Sequence, residues 1–485
     1  MKSKNKSAQN NILLHPAFDI KDDVLVLGFQ DKDYNQAKEK TISYNIYLFA
    51  SKREGRDAPL IDIKMGLNHI NHNDTTYIFD AKTDNKERHL VNINSRWSKE
   101  IFESAKNGVK TVSSSQIYNT LYNEVKSYLE LEKEEDYHIL TSWIIGTYFF
   151  ISFKAYPYIH IKGMKGSGKT TALDVMRLTC FNAFKERSTM PSFRDNVDSQ
   201  RGTALIDQAD KRFGTQSEDD MVDVMVDSYK ASSGMMSKMV LVKNKQVRTE
   251  YNAFVPKAFA SIKELNFDLK DRCIQIQFIK SKFNKNQLDG DNPIWLNIRD
   301  SLYSLLILNY INIKKYVNDV ERKCEDDAEI VGRNAELWKP IETIMRFCSQ
   351  SEEVVEKVKK VYKSKIVFVQ DGISSLERAI LDYVTKSLEG KESDWIAVKN
   401  IVNELILVED DEWGEKSFRS RTQFVGNLIS RMNLHSSKKH GNGGNYYLFE
   451  KDKLEKIKNA YVDDTEVDLS PVFTPLKNPI EQTEF

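Results

Sequence analysis

The chain has 485 residues, and its 71 Lys+Arg balance 71 Asp+Glu, so it carries no formal net charge. That length is enough for two to four domains, each with its own core, and the neutrality excludes a global field that would draw the chain to nucleic acid or membrane, so any such contact must come from local patches. Its four cysteines, Cys180, Cys273, Cys324 and Cys348, show neither C-x-x-C pairing nor metal-ligand spacing, which argues against a disulfide framework and a zinc site.

Residues 1–11 are polar and lysine-rich with no apolar run behind them, unlike a secretion signal, and a reducing cytoplasmic location is expected. Strand-like runs at 24–29, 42–50 and 76–79, separated by polar connectors, predict a small β-rich N-terminal domain over 1–114. Lys38, Lys40, Lys52, Arg53 and Arg56 bias part of it towards a phosphate backbone, although solvated loops have the same composition. The longest apolar stretch, 139–153, is too short to span a bilayer and contains Thr141, Ser142, Gly146 and Thr147, which predicts a buried helix.

Residues 156–161 read as a buried strand and 171–180 as a helix. Between them Gly163-Met164-Lys165-Gly166-Ser167-Gly168-Lys169-Thr170 spells G-x-x-x-x-G-K-[ST] without a mismatch. Such a loop curls its backbone around phosphate oxygens, and the helix start, including Thr171, adds free N–H groups. Lys169 neutralises β/γ charge and Thr170 can hold Mg²⁺, so ATP with Mg²⁺ is the expected ligand pair. A second apolar run, 203–206, ends on Asp207, the expected magnesium partner. The next residue is Gln208, where related ATPases carry a glutamate that activates water. An amide can orient water but cannot take its proton, so hydrolysis is expected to be slow unless Asp210 or another group is the base.

Residues 239–242 and 247–251 are β-prone arms around Lys243-Asn244-Lys245-Gln246, a donor-rich hairpin whose Lys243, Lys245 and Arg248 suit a threaded strand's phosphates. Ser261 ends the strand-like run 258–260. Arg272, in Asp271-Arg272-Cys273 just before the β-prone run 274–279, could reach a neighbouring subunit's phosphate, or pair with Asp268 or Asp271. Long helical patterns follow at 295–317 and 333–348, and Arg333 opens the second of them.

Three helix patterns at 376–388, 395–407 and 418–432 precede a basic turn, 438–444, and the β-prone arm 446–449, which together suggest a winged helix over 374–450. On that plan Arg419, Arg421 and Gln423 lead the helix entering a major groove, and Lys438 and Lys439 reach phosphate from the wing. Residues 451–485 are expected to be a helical end followed by a disordered acidic tail.

In order and spacing, the segments from 115 to 449 resemble the AAA+ ATPases, and more closely the minichromosome-maintenance-like helicases and replication initiators (Rep) of staphylococcal pathogenicity islands and cassette chromosomes. The resemblance implies a multidomain α/β chain with an AAA+ P-loop core and α-helical lid over 115–366. It implies Arg272 as an arginine finger, Arg333 as sensor 2, Ser261 as the nearest match to sensor 1, and the 243–246 hairpin as a pore hairpin. The activity it implies is that of a homo-hexameric ATP-dependent DNA helicase and replication initiator, acting on single- and double-stranded DNA away from membranes. The alternatives are an ATP-dependent switch or loader that stays in place on DNA, and a small-molecule P-loop kinase, against which the C-terminal winged pattern argues.

Overall fold

The computed structural model describes residues 10–35, 40–52, 59–66, 69–73, 75–79, 82–83, 86–87, 89–186, 190–209, 216–242, 245–263, 265–281, 285–325, 330–370, 375–405, 418–441 and 444–455. Contacts divide the chain into two units, Met1–Lys365 and Ile366–Phe485.

At the centre of the first unit lies a five-stranded, all-parallel sheet in the order Phe184–Glu186, Ala204–Ile206, Lys257–Ser261, Tyr158–Gly163 and Cys273–Phe278. Parallel strands covered on both faces read as continuous apolar runs, and Ala204, Leu205 and Ile206 are fully buried. The chain therefore leaves the sheet on the same edge after Gly163, Ile206 and Ser261. The apolar stretch forms a helix at Glu134–Gly146 and a 3₁₀ turn at Phe150–Ser152; Trp143 Nε1 donates to Pro157 O at 2.7 Å, fastening the helix to the start of the central strand. Gly146 permits a second tie, Tyr156 Oη donating to Trp143 O at 2.7 Å, because a Cβ there would sit 2.4 Å from that hydroxyl. The helical pattern at 295–317 is two helices, Pro293–Asn309 and Ile313–Glu325, broken at the turn where Tyr310 reaches Asp23 O at 2.7 Å. Gly332–Phe347 and Glu352–Gln370 follow.

The β-rich segment before residue 114 packs directly on this core. Its antiparallel sheet, Phe18–Lys21, Val24–Asn35, Lys40–Ser51 and Leu60–Met65, shares a core with a second sheet of Asn10–Leu14, Thr75–Phe79 and His69–His72 through Val26, Tyr47, Phe49, Tyr77 and Phe79. Phe18 meets Phe181 at 4.6 Å between ring centroids, Trp97 stacks on Tyr303 at 4.6 Å, and buried Arg201 donates to Phe18 O at 3.0 Å. The segment and the central sheet therefore belong to one compact unit, whereas composition suggested a boundary at 114.

A buried lysine ties the other edge of the sheet together. Lys257 is fully buried, and its Nζ lies within hydrogen-bonding distance of Ala253 O (2.9 Å), Ser228 Oγ (3.0 Å), Tyr158 Oη (3.1 Å) and Val255 O (3.2 Å). Burial without a carboxylate partner drives its pKa well below the ordinary lysine value. The unfolded chain then binds the extra proton between the two pKa values, so this group's contribution to stability rises with pH through that window. Wild type should gain stability relative to Lys257→Met as pH rises towards the ordinary lysine value of about 10; denaturant midpoints of the two chains on the approach to that pH check it, and a constant difference would refute it.

In the second unit, the helices Ser375–Ser387, Val398–Glu404 and Phe418–Arg431 pack with an antiparallel sheet in the order Ser393–Ala397, Gly444–Glu450, His435–Gly441. Ile380, Val384, Ile401, Val402, Val425, Ile429, Tyr447 and Phe449 fill their core. Two sequence expectations change here. Residues 395–397 belong to a strand, because Trp395 and Ile396 complete the hairpin's sheet opposite Leu448 and Tyr447, and the helix starts only at Val398. Lys438 and Lys439 lie within the strand His435–Gly441, paired with Tyr447 and Tyr446, and not in its turn. The proposed acidic tail, from 456 on, lies outside the described residues.

Among the described residues, no helix is long and apolar enough to cross a membrane and no His/Cys/Asp/Glu group is set to hold a metal ion. Of the four thiols, Cys180, Cys324 and Cys348 are buried, and all four are free. Burial pushes the Cys180, Cys273 and Cys348 thiols well above the usual range.

Candidate functional site

The octapeptide forms the loop between the strand Tyr158–Gly163 and the helix Lys169–Thr179. Three glycines shape it for different reasons. A Cβ at Gly163 would lie 2.5 Å from Ser167 Oγ and 2.6 Å from Phe278 O, so the loop could not close over a larger residue. Gly166 and Gly168 have φ of +81° and +87°, which L side chains rarely adopt. No side chain caps the helix, and Gly168 is its N-cap, so the N–H groups of its first turn, from Lys169 through Thr170 and Thr171, face the loop. Lys169 Nζ folds back over the loop and donates to Gly163 O (2.6 Å) and Met164 O (2.9 Å). Ser167 is buried, and its Oγ makes no hydrogen bond among the described residues. An uncapped N-terminus, a lysine across the mouth and this buried hydroxyl fit a nucleotide's phosphates.

Asp207 follows the strand Ala204–Ile206 on the same edge, two strand positions away and about 10 Å across the sheet. Gln208 is exposed and left-handed, with φ +52°, and its N–H donates to Asp207 Oδ1 at 2.8 Å. A non-glycine residue held there costs about 1–2 kcal/mol. Asp210 lies outside the described residues. Ser261 ends the strand between these two, in register with Lys162. Its hydroxyl donates to Lys263 O at 2.6 Å, which makes it the acceptor for His160 Nε2 at 2.7 Å and places the imidazole proton on Nε2. His160, a polar residue inside a buried strand, went unremarked in the sequence; it joins the strand before the loop to the Ser261 position.

The structure thus brings Gly163, Gly166, Gly168, Lys169, Thr170, Thr171, Asp207, Gln208 and Ser261 to one sheet edge. It puts Arg272 and Arg333 elsewhere. In the parallel pair, Gly163 aligns with Phe278 and Tyr158 with Cys273, so Arg272 precedes the far end of its strand, on the order of 16 Å from the loop. The Arg272 guanidinium is buried, with Nε donating to Val226 O at 2.8 Å and Nη1 to Asp268 O. Arg333, second residue of the helix Gly332–Phe347, donates to Asp271 and is therefore held at the same edge as Arg272.

The hairpin is longer than its sequence signal. Its arms are Met235–Val242 and Lys245–Asn252, with Val242 opposite Lys245; residues 243–244, Lys243 among them, lie outside the described residues. Alternation places Arg248 opposite Met239 on one face and Lys245 on the other. Both cations are exposed, as are Met239 and Leu241. The hairpin's root closes through Ala253 N to Gly234 O at 2.8 Å and Asn252 N to Asp198 Oδ1 at 2.9 Å.

In the second unit, Lys439 Nζ lies 4.0 Å from the centre of the Trp395 ring and Lys438 Nζ 5.4 Å from that of Tyr447, so both cations rest on aromatic faces. Arg421 shares the i, i+4, i+7 stripe of buried Val425 and Leu428, while Ser420, Gln423 and Asn427 are exposed on the helix's outward face. Arg419 belongs to the same helix, and its side chain lies outside the described set.

No protein-family model and no curated protein matches the chain. Solved structures similar to it include the SCCmec type IV Cch active helicase, with 10% identity over 90% of this chain and 94% of that one and a TM-score of 0.38. Others are a full-length MCM homolog from Methanopyrus kandleri (8% identity, 70% and 76% covered, TM-score 0.34) and Drosophila ORC bound to DNA (12%, 72% and 92%, TM-score 0.20). Likenesses this distant carry no weight for activity, which rests on the chemistry of the site itself.

Proposed function

We propose that this chain is an AAA+ ATPase of the DNA helicase class that works as a ring of six identical subunits and initiates replication of a mobile genetic element. The observation that carries this reading is the split of the ATPase residues between two edges of one sheet: the loop, Asp207, Gln208 and Ser261 on one, Arg272 and Arg333 on the other. A subunit whose arginines lie that far from its own phosphates would complete a site by meeting another copy head to tail, and head-to-tail contacts form a ring where the rotation between copies closes. Thr170 and Asp207 would hold Mg²⁺, which would draw charge from the transferred phosphoryl group. Residues 115–366 serve as core and lid, 374–450 as a winged helix that finds the origin, and 1–114 as the β-rich platform. The outward face with Gln423 and Asn427, together with Arg419, would meet base edges, with Arg421 braced behind them and Lys438 and Lys439 towards phosphate.

The hairpin is the element that touches a threaded strand, in the cytoplasm and without a membrane. Lys245 and Arg248, one on each face, together with Lys243, would follow phosphates without reading sequence. With both Lys245 and Arg248 replaced by Ala, displacement of one strand of a forked DNA duplex should fall at least about tenfold, and the salt slope of single-strand binding should decrease by roughly 1.4. ATP binding should be unchanged. Full unwinding by this variant would sink the hairpin's role. The second reading is an ATP-dependent switch or loader, favoured by Gln208; it is the reading to adopt if neither wild type nor Gln208→Glu displaces a strand.

A further inference from the structure

A single ring supports both arginines. Tyr229 has the Arg272 Cζ 5.3 Å and the Arg333 Cζ 5.5 Å from its ring centre, and Lys230 Nζ also 5.3 Å away. Its hydroxyl donates to Glu336 Oε2 at 2.8 Å, and Lys230 Nζ donates to Glu336 Oε1 at 2.6 Å. Asp271 lies between the guanidinium groups: Arg333 Nη1 donates to its Oδ2, and Arg272 Nη1 is 4.0 Å from the same oxygen. Three cations thus share two carboxylates, which leaves one positive charge in excess on a partly exposed surface.

The support beneath this cluster is rigid. Tyr229 O accepts from Tyr156 N at 3.0 Å, Arg272 O accepts from Tyr158 N at 3.0 Å, and the neighbouring Ser228 belongs to the buried Lys257 network. The two arginines differ within it. Arg272 is held by two main-chain carbonyls, Val226 O and Asp268 O, whereas the Arg333 guanidinium has the Asp271 carboxylate and the Tyr229 face. A carboxylate and a phosphate present the same acceptor geometry to a guanidinium, so they compete for it.

We propose that Asp271 is a resident anion that occupies Arg333 in the free subunit and yields it to the terminal phosphate of a nucleotide bound by a second copy, while Tyr229 keeps both arginines aligned as a positioning residue. This rests on the shared-site reading above. The exchange sets a threshold: ATP-driven assembly begins only when phosphate outcompetes Asp271. Tyr229 needs its aromatic face for this and not its hydroxyl.

The test is assembly of the full chain, followed by sedimentation velocity against ATP and against a non-hydrolysable ATP analogue. Asp271→Asn keeps the shape of the side chain and removes its charge, so half-maximal assembly should require about tenfold less nucleotide, the worth of ~1.4 kcal/mol. Asp271→Ala, at a partly exposed position, should shift in the same direction. In an Arg333→Ala background, Asp271→Asn should produce no shift. Tyr229→Leu should lower kcat at least about tenfold with nucleotide affinity retained, and Tyr229→Phe should restore it. Assembly of Asp271→Asn and Asp271→Ala at the wild-type nucleotide concentration, or a shift that persists without Arg333, overturns the exchange while leaving the shared site standing. Equal loss in Tyr229→Phe and Tyr229→Leu overturns the positioning role. A wild-type chain that binds ATP and never assembles overturns the shared-site reading, and the exchange with it.

Discussion

Gln208→Glu should raise steady-state ATP hydrolysis by about 10²–10⁴-fold, with little change in KM. The residue is well placed to act on an attacking water. It follows the strand that ends at Ile206, it is exposed, and its left-handed backbone is pinned by the bond from its N–H to Asp207 Oδ1. Backbone strain of this kind collects at functional positions. A glutamate there supplies the proton acceptor that an amide lacks, and because the loop and Lys169 are unchanged, nucleotide affinity should be too. Phosphate release measured in parallel on the two chains decides it. Equal rates would move the general base elsewhere, with Asp210 the next residue to replace.

The nucleotide edge was legible in the sequence because its requirements are local. Glycines at 163, 166 and 168 are dictated by close approach and by φ, and they stand next to one another in the chain. Asp207 was legible as the end of an apolar run. The arginine edge was only half legible: the Asp271-Arg272-Cys273 triplet and Arg333 could be picked out, but their joining through Tyr229 and Glu336 connects residues far apart in sequence, and no periodicity announces it. Element ends moved for physical reasons. The 438–444 turn shrank because Lys438 to Gly441 gain cross-strand partners, and the 395–407 helix lost its first residues to the same sheet. The donors at the start of the last helix were legible as a group, but their division between faces was not used: Arg421 is half-buried on the stripe of Val425 and Leu428, and Gln423 is exposed. Packing across position 114, such as Phe18 on Phe181, was not legible, because composition does not register contacts between residues far apart in the chain.

Arg272→Ala and Lys169→Ala should each abolish turnover alone, the first by about 10³–10⁵-fold, and should recover part of it when mixed. The reason lies in the sheet. Arg272 and the loop are on opposite edges of one subunit, so in the proposed ring an active interface would take its loop from one copy and its arginine from the next. In an equal mixture about a quarter of head-to-tail interfaces join an intact Lys169 to an intact Arg272, and turnover should approach that fraction if interfaces act independently. Arg333 supplies the control that fixes the side. Because Asp271 ties it to the Arg272 edge, in the proposed ring both arginines would reach a given site from the same neighbour. Arg333→Ala mixed with Lys169→Ala should therefore recover as well, whereas Arg333→Ala mixed with Arg272→Ala should not, since every interface then lacks one of the two. Recovery in that last mixture would mean that Arg333 serves its own subunit's nucleotide, and it would require the helix Gly332–Phe347 to leave the position it holds against Asp271.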